Sequence, residues 1–286
     1  MTESLYSRRP LLNKDTAVCI SLAARPSNIG TRFHNYLYDE LGLDFVYKAF
    51  TTTDIAAAIG GVRALGIRGC SVSMPFKEDV IALVDELEES ARVINSVNTI
   101  VNDAGRLTAC NTDYLAIARL IDEYHLDPAA SLLIRGSGGM ASAVAAAFRD
   151  KGFEAGAIVA RNPDTGGRLA DRLGYRYMAD ASDGADIVVN VTPIGMAGGA
   201  EADDLSFDRD VIAKARTVFD VVALPSETPL VRAARAAGVP VITGAEVIAL
   251  QAAEQFERYT GVRPTAAQVA AASAFSAPDF RPVRAR

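Results

Sequence analysis

Leu132-Leu133-Ile134-Arg135-Gly136-Ser137-Gly138-Gly139-Met140-Ala141 is an apolar run that stops at a glycine turn. The turn leads into Ala141-Ser142-Ala143-Val144-Ala145-Ala146-Ala147-Phe148, a stretch of helix formers. Strand, glycine loop and helix start, in that order, read as the phosphate-binding corner of a βαβ unit. Gly136 permits the tight turn. Gly138 lets the backbone approach a pyrophosphate, and Ala141, where many such loops carry a third Gly, still lets helix and strand pack closely. Ser137, Gly139 and Met140 belong to the same cradle, where the helix N-terminus offers unpaired N–H groups and a positive dipole end to phosphate. A plain strand–turn–helix corner shares this local pattern. The legible strand before it and helix after it favour a dinucleotide site.

Outward from this corner, strand-like and helix-like segments alternate. Downstream come strands at 157–160, 175–178, 187–191, 217–222 and 239–242, with helices at 166–173 and 229–237. Upstream, strands are expected at 16–22, 45–50, 69–74, 97–101 and 107–110, the last two around the turn Asp103-Ala104-Gly105. Helices are expected at 31–41, from Asp54 as cap to about Leu65, from Lys77 to about Val93, and from Asp113 to Tyr124. This punctuation implies α/β architecture with mostly parallel sheets. A nucleotide-binding fold that starts only near residue 114 needs an earlier domain. The closing helices, 246–259 and 265–275, have no strands left to cover and are expected to return to that first domain. The expected domains are 1–113 with 245–286, an α/β substrate domain, and 114–244, a Rossmann domain.

The chain of 286 residues suits two domains, and 50% hydrophobic with 22% charged residues is an ordinary globular composition. A net charge of -6 and no Lys/Arg run argue against nucleic acid as a partner. Met1 to Pro10 has no apolar core of a secretory signal, and no apolar run is long enough to span a membrane. Cys19, Cys70 and Cys110 lack metal-ligand spacing and sit in apolar contexts, so buried reduced thiols in a cytoplasmic protein are expected. The tail Arg281 to Arg286 is expected to fray.

Several motifs carry chemistry. Ser71-Val72-Ser73-Met74-Pro75-Phe76-Lys77 ends a strand in hydroxyls and places Lys77 at an expected helix start, where the dipole disfavours a cation. Such a violation of a local rule points to function, against the alternative of a solvated surface Lys. Asn98, in the apolar run after Ser96, is depleted from strands by propensity and reads as a recognition residue or a satisfied core amide. Asp113, after Asn111-Thr112, is a helix N-cap or a functional carboxylate. If Lys77 and Asp113 meet, they form an acid–base pair. Arg161, with Asn162 after the second Rossmann strand, stands where an acid would bind the ribose of NAD; an Arg there suits the 2′-phosphate of NADP. Asn190-Val191-Thr192-Pro193-Ile194-Gly195-Met196 forms the polar turn expected beside the nicotinamide, with Thr192 and Met196 as candidates. Gln251 is a further amide on a closing helix. His34 and His125 have no metal-compatible companions, and no P-loop, Ser-His-Asp set or metal cluster is found.

These motifs, with Thr228-Pro229-Leu230 and Gln251-Ala252, occur in the order seen in shikimate dehydrogenases, and the likeness runs over nearly the whole chain. The chain resembles in particular the shikimate dehydrogenase-like subgroup, through Ser21-Leu22-Ala23-Ala24-Arg25-Pro26-Ser27-Asn28 and Ala160-Arg161-Asn162. The resemblance implies NADP-dependent interconversion of shikimate and 3-dehydroshikimate, a step towards chorismate and the aromatic amino acids. It implies Lys77 and Asp113 as the catalytic pair, and Ser73, Asn98 and Gln251 as holders of substrate hydroxyls. It implies Gly136, Gly138 and Gly139 at the pyrophosphate and Arg161 at the 2′-phosphate. Two positions depart from the family pattern. Asn28-Ile29-Gly30-Thr31 lacks both serines of the Ser-x-Ser-Pro motif that binds the substrate carboxylate, and Ala223 stands where the family tends to have Tyr. Arg25 and Ser27 are the expected compensators, since an Arg fork suits a carboxylate. The expected partner is a small cyclic hydroxy acid, shikimate turned over slowly or a relative such as quinate. The chain is expected to act as a monomer or homodimer, with neither nucleic acid nor membrane. A third reading, an NADPH-binding sensor with little catalysis, has no use for Lys77 and Asp113.

Overall fold

The structure, a computed structural model, describes residues 8–277. The fraying expected at Arg281 to Arg286, and the start of the N-terminal stretch read as no secretory signal, lie outside the described residues. Two compact units divide the chain. One holds the residues up to Thr112 and those from Ala249; the other is Asp113–Ile248.

The first unit begins β1 (Ala17–Ala23), α1 (Ile29–Glu40), β2 (Phe45–Thr51), α2 (Ile55–Ala64) and β3 (Gly69–Val72). A 3-10 helix (Asp79–Leu83), β4 (Glu86–Leu87), α3 (Glu89–Arg92), β5 (Thr99–Asp103) and β6 (Arg106–Cys110) follow. The sheet order is β2-β1-β3-β5-β6-β4. β1 pairs in parallel with β2 and β3, but β5 runs antiparallel to β3 and β6. The sheet is therefore mixed. β5 is the reversed strand, and a tight hairpin at Ala104 and Gly105, both with positive φ (51° and 92°), turns the chain back into β6; Gly105 N–H donates to Asn102 Oδ1 there at 2.8 Å.

Alternation along the strands divides the core. Ile20, Leu22, Cys70, Val72 and Ile100 face α2, which buries Ile59 and Val62 and is capped by Asp54 accepting from Ala57 N–H at 2.9 Å. Cys19 and Tyr47 face the other way. They pack with Phe33, Leu37 and Tyr38 of α1, whose i, i+4 spacing makes one buried stripe.

The helix expected from Lys77 to Val93 does not form. Asp85 N–H donates to Leu107 O and Glu88 N–H to Ala109 O, both at 2.9 Å, and the Asp85 carboxylate accepts from Leu107 N–H at 2.7 Å. Pairing with the β6 edge overrides the local helical pattern and leaves one 3-10 turn, a two-residue strand and a one-turn helix.

The second unit starts with α4 (Thr112–Glu123), one residue of which belongs to the first unit. It continues with β7 (Leu132–Arg135), α5 (Gly139–Asp150), β8 (Gly156–Val159), α6 (Pro163–Leu173), β9 (Arg176–Met178) and β10 (Ile187–Asn190). The helix α7 (Arg209–Lys214), not expected from the sequence, precedes β11 (Thr217–Asp220), α8 (Pro229–Ala236) and β12 (Val241–Thr243). All strands are parallel in the order β12-β11-β10-β7-β8-β9, the doubly wound Rossmann order. Asn162 caps α6, Pro163 occupies its first turn and Gly174 ends it at φ 68°, so this helix starts earlier than expected.

Two helices close the described chain, α9 (Gly244–Thr260) and α10 (Ala266–Ser276). From Ala249 they belong to the first unit, where Ala252, Ala253, Phe256, Tyr259 and Ala272 complete the α1-side core. The expected return of the C-terminal helices is thus observed. Thr265 and Gln268 form a capping box at α10. No helix among the described residues is long and apolar enough to cross a membrane. Cys19, Cys70 and Cys110 are buried thiols; burial pushes Cys19 and Cys110 up to about 12 and Cys70 up as well.

Candidate active site

In the second unit the strand order reverses between β7 and β10, and ligands of such sheets bind at the strand C-termini at that switch point. A cavity of about 420 Å³ lies there, lined by Gly136, Ser137, Gly138, Arg161, Asn162 and Thr192, and also by Arg135 and Glu201. Gly139 opens α5 beside it, but Gly139, Met140 and Met196 are not among the lining residues. Gly136 has φ 132°, and a Cβ there would stand 2.7 Å from Val191 Cγ2, so the residue that follows β10 enforces this glycine. A Cβ on Gly138 or Gly139 would meet nothing within 4 Å. Their backbone faces open space, which together with two guanidinium groups fits the phosphates of a dinucleotide.

Three expected side chains are occupied by the loops themselves. Ser137 Oγ lies 2.7 Å from Thr165 Oγ1. Asn162 Oδ1 accepts from Asp164 N–H at 2.9 Å and Thr165 N–H at 3.3 Å. Thr192 Oγ1 donates to Asn190 Oδ1 at 2.6 Å. Asn190 Nδ2 in turn donates to Asp220 Oδ1 at 3.0 Å, and Thr228 Oγ1 to Asp220 Oδ2 at 2.6 Å. Asp220 is fully buried; burial raises its pKa, against the bonds from Thr228, Val222 and Asn190. Sequence reasoning missed this network, and it missed Arg135 and Glu201. A charged residue closing an apolar strand was the available signal for Arg135. For Glu201 none was available, because a hydrogen bond from Gly195 N–H to Glu201 O at 2.8 Å folds that residue back onto the site.

In the first unit, backbone bonds gather the other motifs. Val97 N–H donates to Lys77 O at 2.8 Å, Asn98 N–H to Cys110 O at 3.2 Å, Val72 N–H to Asn98 O and Ser73 N–H to Leu22 O, both at 2.9 Å. Asn98 is buried, and its Oδ1 accepts from Thr99 Oγ1 and Thr112 N–H, both at 2.8 Å. Thr112 Oγ1 donates to the same oxygen at 3.1 Å, with Gln251 Oε1 at 3.3 Å as the alternative acceptor. The oxygen half of Asn98 is thus a satisfied core amide. Gln255, one turn beyond Gln251, donates to Thr99 Oγ1 at 2.9 Å.

Two readings of this region are corrected. Lys77 is half-buried in a turn ahead of the 3-10 helix, so it stands at no α-helix N-terminus and the dipole argument does not apply. Asp113 is not the N-cap, because Thr112 is already helical; it lies in the first turn, where a carboxylate suits the dipole.

Arg25 and Ser27 lie exposed in the β1–α1 loop, and Ser27 Oγ accepts from Ile29 N–H at 3.4 Å. A Cβ on Gly30 would stand 3.5 Å from the Tyr47 hydroxyl. His34 is a core residue: it is fully buried and stacked on Tyr47 at 4.4 Å and 7°. Neither ring nitrogen has a hydrogen bond of normal geometry among the described residues, and burial holds its pKa at about 3, with Gln255 acting the other way. His125 is in an exposed turn.

Residues 28–100 match the shikimate dehydrogenase substrate binding domain. A Haemophilus influenzae protein described as shikimate dehydrogenase-like is 58% identical over 271 residues, 94% of this chain and 100% of that one. The Rubrobacter xylanophilus shikimate dehydrogenase (NADP(+)) is 35% identical over 272 residues, 89% of this chain and 94% of that one. Among solved structures, a shikimate 5-dehydrogenase-like protein superposes with a TM-score of 0.92 at 58% identity, covering 93% of this chain and 99% of that one. The Thermus thermophilus shikimate 5-dehydrogenase, solved in complex with NADP(H) and shikimate, does so with a TM-score of 0.82 at 26% identity, covering 91% and 100%. The chain belongs to the shikimate dehydrogenase family.

Proposed function

We propose that the chain is an NADP-dependent oxidoreductase of the shikimate dehydrogenase type, acting in the cytoplasm on shikimate or a close cyclic hydroxy acid. The observation that carries this reading is the glycine cradle with Arg135 and Arg161 at the switch point of a Rossmann sheet. The unit Asp113–Ile248 serves the cofactor and the other unit the substrate. Residues 136–139 hold the pyrophosphate, Arg161 the 2′-phosphate, and Thr192 and Met196 the nicotinamide side. When bound, the nicotinamide supplies a hydride acceptor for the carbon that carries the oxidised hydroxyl. Lys77 Nζ takes the proton that leaves that hydroxyl oxygen and returns it in the reverse direction. Asp113 is paired by charge with the ammonium group that this transfer leaves on Lys77. With its oxygen engaged, Asn98 turns its NH2 half towards a substrate hydroxyl, and Ser73 and Gln251 hold others.

Recognition of the substrate carboxylate is where this chain differs from its family. Gly30 and Ala223 bring no hydroxyl, and the exposed Arg25 and Ser27 are the groups that would hold the carboxylate. That difference favours a second substrate, quinate or another cyclic hydroxy acid, alongside shikimate. A cofactor-reduction assay with NADP⁺ over a panel of cyclic hydroxy acids tests both readings. Reduction with shikimate or quinate is expected. NADP⁺ binding without turnover of any panel member would leave only a dinucleotide sensor.

A further inference from the structure

Arg161 reaches from the end of β8 into the dinucleotide cavity and is paired there. Its Nη1 lies 3.4 Å from Glu201 Oε2 and 3.5 Å from Oε1. The Arg161 side chain is 79% exposed and that of Glu201 36%, so the pair stands in solvent at the cavity mouth. Its length exceeds the roughly 2.7–2.9 Å of a strong charge-assisted bond, which marks a partner that can be displaced. Arg135, the last residue of β7, lines the same cavity, half-buried, with its guanidinium 5.6 Å from the Phe207 ring centre. Burial lowers the Arg135 pKa, Asp208 and Glu201 act to raise it, and Arg161 opposes them. Glu201 is therefore the ion-pair partner of Arg161 and, after Asp208, part of the negative charge that faces Arg135. It does not reach the cavity by a loose side chain alone. Gly195 N–H donates to its carbonyl at 2.8 Å and ties it to the turn after β10, and Asp204 N–H closes a local turn on the same carbonyl at 3.3 Å.

We propose that Glu201 is a counter-ion built into the 2′-phosphate site, competing with that phosphate for Arg161 and so setting how far the protein prefers NADP over NAD. The proposal rests on the dinucleotide reading above. A phosphate monoester carries about −1.5 to −2 charges and three acceptor oxygens, so it displaces a single carboxylate from Arg161. NAD has a ribose hydroxyl there instead. A carboxylate beside that hydroxyl can accept a hydrogen bond from it, the role that the acid at the end of the second strand plays in NAD-binding folds; here Glu201 offers the carboxylate from the segment after β10. The same side chain thus penalises NADP and tolerates NAD.

The test is a binding titration, read by NADPH fluorescence and by calorimetry with NADP⁺ and NAD⁺, without substrate. Glu201→Gln keeps the size and removes the charge. It should tighten NADP⁺ roughly 3- to 20-fold, the range of one unit charge near a phosphate at a solvent-exposed site. NAD⁺ should bind no tighter. Asp203→Asn, on the same exposed segment but outside the cavity lining, should change NADP⁺ affinity less than about twofold at physiological ionic strength. In an Arg161→Ala background the gain from Glu201→Gln should shrink, because the guanidinium for which Glu201 and the 2′-phosphate compete is gone. Unchanged or weaker NADP⁺ binding in Glu201→Gln, or an equal gain with and without Arg161, would overturn the counter-ion role alone. A parent protein that binds neither dinucleotide would overturn the reading of the site, and the proposal with it.

Discussion

Replacing Lys77 and Asp113 singly and together separates a working pair from two independent contacts. Lys77→Ala and Asp113→Asn should each lower kcat by about 10²–10⁴ while leaving NADPH affinity unchanged. The double variant should be little worse than the worse single, since residues that act as a unit are not additive. Steady-state kinetics with the best substrate of the panel decides this; additive losses or near-normal turnover by Lys77→Ala would refute the pairing. At this scale legibility followed covalent constraint. Gly136 was readable because only glycine takes φ 132° with Val191 so close. Glu201 was not readable, because the bond that brings it to Arg161 is made by its backbone and leaves no mark on the residue type.

Between elements, the ends of β10, β11 and α8 are tied by one buried carboxylate. Asp220 accepts from Asn190, Val222 and Thr228, and Thr228 Oγ1 also caps α8 by accepting from Val231 N–H at 3.1 Å. Asp220→Ala leaves these donors without their acceptor and should destabilise the protein by about 2–4 kcal/mol in urea unfolding. The pH dependence has a definite sign. The folded-state pKa of Asp220 is raised above 3.8, so in the window above 3.8 the native state binds the extra proton. Its contribution to stability is present below that window and is lost as pH rises through the folded pKa. Asp220→Asn should abolish this trend, which unfolding midpoints across the acid range will reveal; an identical trend in the variant would exclude Asp220 as its source.

Elements with a period were legible in the sequence: the strands of both sheets, the capped α2 and the amphipathic α1. The segment 77–93 was not. Its helical pattern competes with hydrogen bonds to the β6 edge, more than a dozen residues on, and those bonds prevail. The helix α7 has six residues, too few to display a period.

For the molecule as a whole, His34 makes acid stability a property of the first unit's core. Its pKa is held at about 3, below the ordinary 6.5, so between these values the unfolded chain binds a proton that the native state refuses. This contribution is complete above 6.5 and lost as pH falls. Between pH 7 and 5 the loss should be about 2 kcal/mol for one such group. His34→Phe keeps a ring on Tyr47 and removes the proton site, so its unfolding free energy should fall less over that interval. Equal losses in parent and variant would show that other groups govern acid unfolding.

The return of α9 and α10 to the first unit also has a consequence for birth on the ribosome. Phe33, Tyr38 and Tyr47 emerge well before the Phe256, Tyr259 and Ala272 that cover them, which follow some two hundred residues later. Synthesis proceeds at roughly 5–20 residues per second, so this aromatic face waits on the order of ten seconds or more for its lid. The intervening unit can fold in that time, whereas the first cannot be completed until the residues from Ala249 onward have been made. The N-terminal sheet is therefore the natural client of a chaperone. Premature termination before residue 249 would leave it exposed and prone to aggregation.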